Sequence, residues 1–323
     1  EGNLILKSQI SNGQMTTYSW DHRNRLTAVV ERTSAGVPVS EVAYVYDVFD
    51  RRIAKDISLP PLVQPGATHD LIGLFAMSTR QWLLDFADNG GSPERTWNFV
   101  SGDPSTAQNF PVTGDWDGDG KDEIGLYVRT TADWYLDLDG RGGVAERVLD
   151  YSTIIPPAAQ VLPVVGDWDN DGDDDVGVFN PSTGYWYLEL NGFGGNYDTT
   201  RYFPGFGGLA ANKTPVVGDW DGDGDDNLGV YDRVSGTWYL DLNDVGPSAE
   251  RTLVMGGTGY TAVVGDWDGD GDDDIGTYRV LTGVWYLDMN GLGGAPERTL
   301  TMGGGTNYLP IVGDWDGAPT VYT

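Results

Sequence analysis

The chain of 323 residues carries 49 acidic and 19 basic side chains, a formal net charge of -30, 47 glycines, 12 tryptophans and no cysteine. Without cysteine there is no disulfide framework, thiol nucleophile or cysteine-ligated zinc, and so negative a chain is repelled by nucleic acid and by anionic membrane surfaces. A hydrophobic content of 39% with 12% aromatic is too rich for a disordered acidic chain, so most of it is expected to fold, as one large domain or two smaller ones. No run approaches the roughly 20 apolar residues of a membrane span. Glu1-Gly2-Asn3 has no signal-peptide character, so the sequence reads as a piece of something longer.

Residues 1 to 60 hold seven basic and seven acidic side chains and the other 263 hold 12 and 42, so the whole excess of -30 lies beyond residue 60. With the Pro/Gly-rich stretch Leu59-Pro60-Pro61-Leu62-Val63-Gln64-Pro65-Gly66, this predicts a segment 1–60, a linker 61–69, a repeat domain 70–317 and a tail 318–323. In the segment, Tyr18-Ser19-Trp20-Asp21-His22-Arg23-Asn24-Arg25-Leu26 is echoed 26 residues later by Tyr44-Val45-Tyr46-Asp47-Val48-Phe49-Asp50-Arg51-Arg52-Ile53. Both stretches resemble YD (RHS) repeats, which implies β-hairpins of the kind that extend a large shell. Two copies cannot enclose anything, so the segment is expected to be the last turns of a longer YD-repeat chain or a β-strip against the next domain. An ordinary β-hairpin domain is the plainer alternative.

Beyond the linker the chain repeats. Gly-Asp-Trp-Asp recurs with its first Asp at 115, 167, 219, 266 and 314, and Trp82, Trp134, Trp186, Trp238 and Trp285 recur in step. A unit of about 50 residues is the size of a four-stranded propeller blade. In residues 262–301 the runs 262–267, 275–280, 284–289 and 297–301 have strand character, with Asp/Gly, Leu-Thr-Gly and Asn-Gly turns between them and no room for an amphipathic helix. The first unit, from residue 70, lacks a Gly-Asp-Trp-Asp strand, and the last has that strand and almost nothing after it. The fold class predicted is therefore all-β: a five-bladed β-propeller of antiparallel four-stranded blades, closed by the C-terminal strand, after an N-terminal hairpin segment.

Four loops carry acids on alternate positions: Asp115, Asp117, Asp119, Lys121 and Glu123; Asp167, Asp169, Asp171, Asp173 and Asp175; Asp219, Asp221, Asp223, Asp225 and Asn227; Asp266, Asp268, Asp270, Asp272 and Asp274. Carboxylates this close repel, and a hard divalent cation with six to eight oxygen ligands makes the arrangement favourable. Positions one, three and five would ligate by side chain, seven by its carbonyl and nine by a further oxygen, with the glycine at six making the sharp turn. Turn chemistry alone needs one Asp-Gly and not three spaced acids, and no EF-hand Glu follows at position twelve. Calcium fits better than magnesium, which prefers water and a strict octahedron. The fifth loop, Asp314 and Asp316 before Gly317-Ala318-Pro319, is expected to be incomplete unless Asp70 rebuilds it across the closure.

These units resemble FG-GAP/VCBS calcium-binding propeller repeats, as in integrin α heads. That resemblance implies calcium in the hairpin loops between the first and second strands of each blade, and adhesion or ligand recognition. Two features depart from that pattern: tryptophan follows the first Asp, and five blades stand against seven in integrin heads. Four calcium ions would add +8, taking -30 to -22, and extracellular modules of this kind bind at about 0.1 to 1 mM, which suits an extracellular or cell-surface location.

The Trp-Tyr-Leu stretches are read as packing between blades before they are read as sugar platforms. Glu-Arg pairs at 94–95, 146–147, 250–251 and 297–298 are placed on the outermost strands as guards against edge pairing. His22 and His69 are the only histidines, neither in a nucleophile setting, and carboxylates repeated identically per blade are metal ligands more readily than one asymmetric active site. The expected function is non-catalytic: a calcium-stabilised propeller for adhesion or protein recognition, with a carbohydrate-binding lectin and a self-associating subunit of a surface fibre as the alternatives.

Overall fold

The computed structural model of the protein describes residues 6–8, 15–20, 25–32, 38–46, 52–58, 69–99, 109–152, 160–190, 196–203, 212–243 and 247–315. The chain divides into two compact units, 1–67 and 68–323. In the first, β1 (Leu6–Ser8), β2 (Met15–Trp20), β3 (Leu26–Arg32), β4 (Pro38–Tyr46) and β5 (Arg52–Ser58) form one antiparallel sheet in sequence order. The two Tyr-rich echoes fold alike: β2 pairs with β3 as far as Trp20 opposite Leu26, and β4 with β5 as far as Tyr46 opposite Arg52, each with a register shift just before that pair. The turn residues 21–24 and 47–51, the linker residues 61–68 and the tail 318–323 lie outside the described residues.

The second unit is a five-bladed β-propeller. Blade one holds β6 (Leu71–Ala76), β7 (Gln81–Leu84) and β8 (Arg95–Asn98); blade two β9 (Asn109–Gly114), β10 (Glu123–Val128), β11 (Asp133–Leu136) and β12 (Arg147–Asp150). Blade three is β13 (Leu162–Gly166), β14 (Asp175–Asn180), β15 (Tyr185–Leu188) and β16 (Thr199–Tyr202); blade four β17 (Lys213–Gly218), β18 (Asn227–Asp232), β19 (Thr237–Leu240) and β20 (Arg251–Val254). Blade five is β21 (Tyr260–Gly265), β22 (Asp274–Arg279), β23 (Val284–Leu287) and β24 (Arg298–Thr301). The last strand, β25 (Tyr308–Gly313), then pairs antiparallel with β6 over its full length, Gly313 opposite Leu71, and supplies blade one with its missing inner strand. The inner strands β9, β13, β17, β21 and β25 neighbour one another in a closed circuit, so the ring has no open inner edge.

Burial follows position in the blade. Second strands are sandwiched between neighbouring sheets and are buried along their length, which suits runs such as Ile124-Gly125-Leu126-Tyr127. Third strands alternate, turning Trp134 and Leu136 inward and leaving Tyr135 half-buried. Each blade places a tryptophan of its third strand against an aromatic of its second at nearly one separation, from Phe179–Trp186 at 4.7 Å to Phe75–Trp82 at 5.1 Å. The cores lie between blades: Trp134 packs with Val176 and Val178 of blade three, and Trp285 with Ile72 and Leu74 of blade one. A blade therefore completes its core only against the next, and closure of the ring is part of the hydrophobic stabilisation.

The first strand of blade five ends at Gly265 and not at the expected Trp267. Asp266 leaves the strand because its carboxylate accepts N–H bonds from Gly269, Asp270 and Gly271 at 2.7, 3.2 and 3.1 Å, an Asx-type turn that competes with the ladder. Trp267 folds back into the core, as do Trp116, Trp168, Trp220 and Trp315, all at most 6% exposed.

Candidate functional site

The four acidic loops join first to second strands, on one face of the ring. In each the position-one carboxylate gathers the loop N–H groups: Asp115 accepts from Asp119 at 3.0 Å and Gly120 at 2.7 Å, and Asp219 from Gly222 and Gly224 at 2.7 and 2.8 Å. That pulls the alternate acids together. One carboxylate oxygen from each of Asp167, Asp169 and Asp171 lies within 4.8 Å of the others, and the same holds for Asp219, Asp221 and Asp223 and for Asp266, Asp268 and Asp270. In the first loop the trio is Asp115, Asp117 and Glu123, and Asp119 instead pairs with Lys121 at 2.9 Å. The position-nine side chains Glu123, Asp175, Asn227 and Asp274 are all buried. The Oδ1 of Asn227 has no hydrogen-bond partner although Asn227 is only 2% exposed. The position-seven residues Asp173, Asp225 and Asp272 turn their N–H groups onto the position-five carboxylates. In the closing blade Leu71 stands opposite Gly313, the place Glu123 takes opposite Gly114, so position nine offers no oxygen there. Asp316 lies outside the described residues.

Electrostatics mark these loops as charge-strained. Burial, then Asp117 and Asp115, pushes Glu123 up to about 8. Burial, then Asp288, Asp268 and Asp272, pushes Asp274 up to about 8. Burial first and loop acids second also raise Asp169, Asp221 and Asp268. Oxygens that hold protons this tightly are oxygens short of a positive partner, and the clustered carboxylates could hold a metal ion.

Two further sets of acids were not distinguished in the sequence. The residue before position nine points to the axis and binds the preceding blade. The Oδ2 atoms of Asp174, Asp226, Asp273, Asp70 and Asp122 accept the backbone N–H of Asp115, Asp167, Asp219, Asp266 and Asp314 at 2.8 to 3.0 Å. In return the N–H of each donates to the carbonyl of that same partner, Asp174 to Asp115 at 2.7 Å among them. Asp70 thus belongs to this ring and does not rebuild the fifth loop. The glycine of each Gly-Asp-Trp-Asp exists for the same contact: a Cβ on Gly218 would stand 2.7 Å from Asp273 Oδ2, and one on Gly166 2.6 Å from Asp226 Oδ2. An invariant glycine outside any turn was the available signal.

The second set closes the loop between third and fourth strands. Asp85, Asp137, Glu189, Asp241 and Asp288 are at most 2% exposed. Asp137 accepts from Asp139 at 3.2 Å and Gly142 at 2.6 Å, and Asp288 takes the N–H of Asn290 and Gly293 in the same way. The glutamates of the Glu-Arg pairs belong to this loop and not to the edge: Glu94, Glu146, Glu250 and Glu297 accept the N–H of Phe86, Leu138, Leu242 and Met289 at 2.9 to 3.2 Å. Asp137, Asp139 and Glu146 also bring three oxygens within 4.8 Å. His69 contacts Asp88 at 2.9 Å, and His22 lies outside the described residues.

No protein-family model matches the chain, and no curated protein sequence does. Solved structures similar to it include an Agrocybe aegerita lectin that recognises non-reducing terminal N-acetylglucosamine, 15% identical, covering 95% of this chain and 87% of that one, with a TM-score of 0.43. Another is a chain of the Photorhabdus luminescens Tc holotoxin pore, 16% identical, covering 89% of this chain and 15% of that one, with a TM-score of 0.37. A third is a candidate 6-phosphogluconolactonase from Bacteroides fragilis, 9% identical, covering 95% of this chain and 83% of that one, with a TM-score of 0.37. Among the described residues no helix is long and apolar enough to cross a membrane.

Proposed function

We propose that the propeller is a non-catalytic recognition module whose loops bind about four calcium ions, carried outside the cell or at its surface by a YD-repeat protein and akin to FG-GAP/VCBS repeats. The observation that carries this reading is the recurrence of one oxygen-rich loop in four blades, with three carboxylate oxygens within 4.8 Å in each. A chemistry repeated four times around a ring suits a metal that stiffens loops, whereas catalysis calls for one asymmetric constellation. Calcium neutralises the acids and holds the loop-bearing face in one conformation, which lowers the ordering cost of binding a ligand.

A glycan ligand is favoured by one departure from the repeat. Blade three exposes Tyr185 and Tyr202, 42% and 47% exposed, with ring centroids 5.0 Å apart, where blade two has Asp133 and Asp150 at the same register. Paired exposed aromatics stack on sugar rings. A glycan array and a panel of extracellular-matrix proteins, probed in millimolar calcium and again in chelator, test the recognition role. Saturable binding lost in chelator is expected, with glycan binding reduced at least tenfold by Tyr185→Ala with Tyr202→Ala. Binding to neither panel, or binding indifferent to calcium, contradicts the reading.

A further inference from the structure

Among the described residues eight large hydrophobic side chains are exposed, and five of them lie at the end of the ring opposite the acidic loops, in three consecutive blades. Tyr185 and Tyr202 belong to blade three. Val234 and Leu281 sit in the hairpins between second and third strands of blades four and five, and Val254 stands opposite Thr237 at the same end. Apolar side chains scattered singly over a surface are ordinary, whereas a gathering of them marks a contact surface. The charge at this end is also reversed. In blades four and five the charged side chains there are Lys213, Asp232, Arg233 and Arg279. Lys213 and Asp232 pair at 3.1 Å, so the exposed Arg233 and Arg279 set the sign. Arg279 is held over the ring of Tyr260 and donates to its hydroxyl at 3.1 Å. A basic, apolar surface on a chain of net charge -30 calls for an acidic, apolar partner.

The other end of the same ring has those properties. Positions three and five of all four acidic loops are exposed, from Asp117 and Asp119 to Asp268 and Asp270. Two of the remaining exposed hydrophobics stand at that end, Val144 and Leu292, in loops between third and fourth strands. A Cβ on Gly291, the neighbour of Leu292, would stand 3.8 Å from Asp274 Oδ1, so this apolar tip adjoins the acidic loop of blade five. The two ends therefore match in charge and in apolar content. Four calcium ions would leave the chain at -22, so the match holds whether the loops are filled or empty. Because the two surfaces are different and lie at opposite ends, a contact between them is heterologous and leaves one end of each kind open for a further copy. We propose that the propeller stacks end to end, the acidic-loop face of one copy docking on the basic, apolar face of blades four and five of another.

Sedimentation velocity of the full chain in saturating calcium tests this. Assemblies should grow past the dimer with concentration, and association should weaken at least tenfold when salt rises from about 0.1 to 1 M, which shortens the Debye length from about 10 Å to 3 Å. Arg233→Glu with Arg279→Glu alters one end, and Val144→Arg with Leu292→Arg the other; each variant should associate at least tenfold more weakly than the wild type. Mixed one to one, the two variants should form a dimer and stop there, since each keeps the end that the other needs. A chain that stays monomeric, as it would if the basic patch served an unrelated acidic protein, overturns the proposal. Assembly that closes at a symmetric dimer, or variants that associate as the wild type does, also overturn it. Should the arginine variant misfold, Val234→Ser with Leu281→Ser takes its place in the mixture. No glycan or matrix protein is present in these runs, so their outcome leaves the recognition role to its own test.

Discussion

Removing calcium should lower the melting temperature of the propeller by roughly 10 to 20 °C. A ligand bound by the folded state alone stabilises by RT ln(1 + [L]/Kd), about 1.4 kcal/mol per site at ten times Kd, or roughly 6 kcal/mol for four loops. In a domain of this size each kcal/mol moves the melting temperature by about 2 to 4 °C. The pH dependence gives a second readout. Glu123 and Asp274 sit near 8, Asp226 near 7 and Asp122 near 6 in the metal-free fold, against about 4 for a carboxyl in the unfolded chain. Groups raised in this way stabilise the fold fully below the unfolded value, and that stability is lost as pH rises through the folded values. In chelator, scanning calorimetry should therefore show a melt that falls from pH 5 to pH 8. Because calcium displaces the protons of Glu123 and Asp274, the calcium increment should grow over that interval. A chelator-insensitive melt at pH 8 would sink the calcium loops.

Cutting the chain after Asn307 should abolish cooperative folding of the propeller. The cut removes β25, whose six residues pair with β6, and takes away Ile311 and Trp315, 6% and 4% exposed in the core with Leu71, Phe75 and Trp82. It also removes the Asp314 N–H that binds Asp122 at 2.8 Å. Loss of a buried tryptophan costs about 3 to 5 kcal/mol and a buried isoleucine about 2 to 5. With the exposed edge of β6 added, the total matches the roughly 5 to 15 kcal/mol by which domains are stable. Calcium should not rescue the truncated chain, because the acid clusters of all four loops lie before the cut and remain in it. A synthetic peptide of residues 306–315 added in trans should restore part of the melt. A truncated chain that melts cooperatively within a few degrees of the full one would mean that closure contributes little.

The architecture was legible because each blade repeats its markers and the two ends are complementary halves: Leu71 to Ala76 begins without the strand that Tyr308 to Gly313 supplies. The acids were legible as clusters and not as roles. Asp122, Glu123 and their equivalents read as one acidic run, whereas adjacent residues in a strand face opposite ways. Asp122 therefore reaches the axis while Glu123 turns into the loop with Asp115 and Asp117. Which neighbour faces which way depends on where the strand begins, and the Asx turn at the first Asp decides that, two residues earlier than the hydrophobic run suggested for blade five. The buried Asp137 and Asp288 were hidden for a related reason: an acid at the end of Trp-Tyr-Leu looks solvent-facing until the following loop folds its N–H groups over it.

Counting the ions is the most direct test of the central claim. Equilibrium dialysis of the metal-free chain against radioactive calcium should saturate at four calcium ions per chain. It should reach three after Asp219→Ala, which removes the carboxylate that accepts from Gly222 and Gly224. Saturation at zero, or a count that Asp219→Ala leaves unchanged, would contradict the assignment of the four repeated loops as calcium sites.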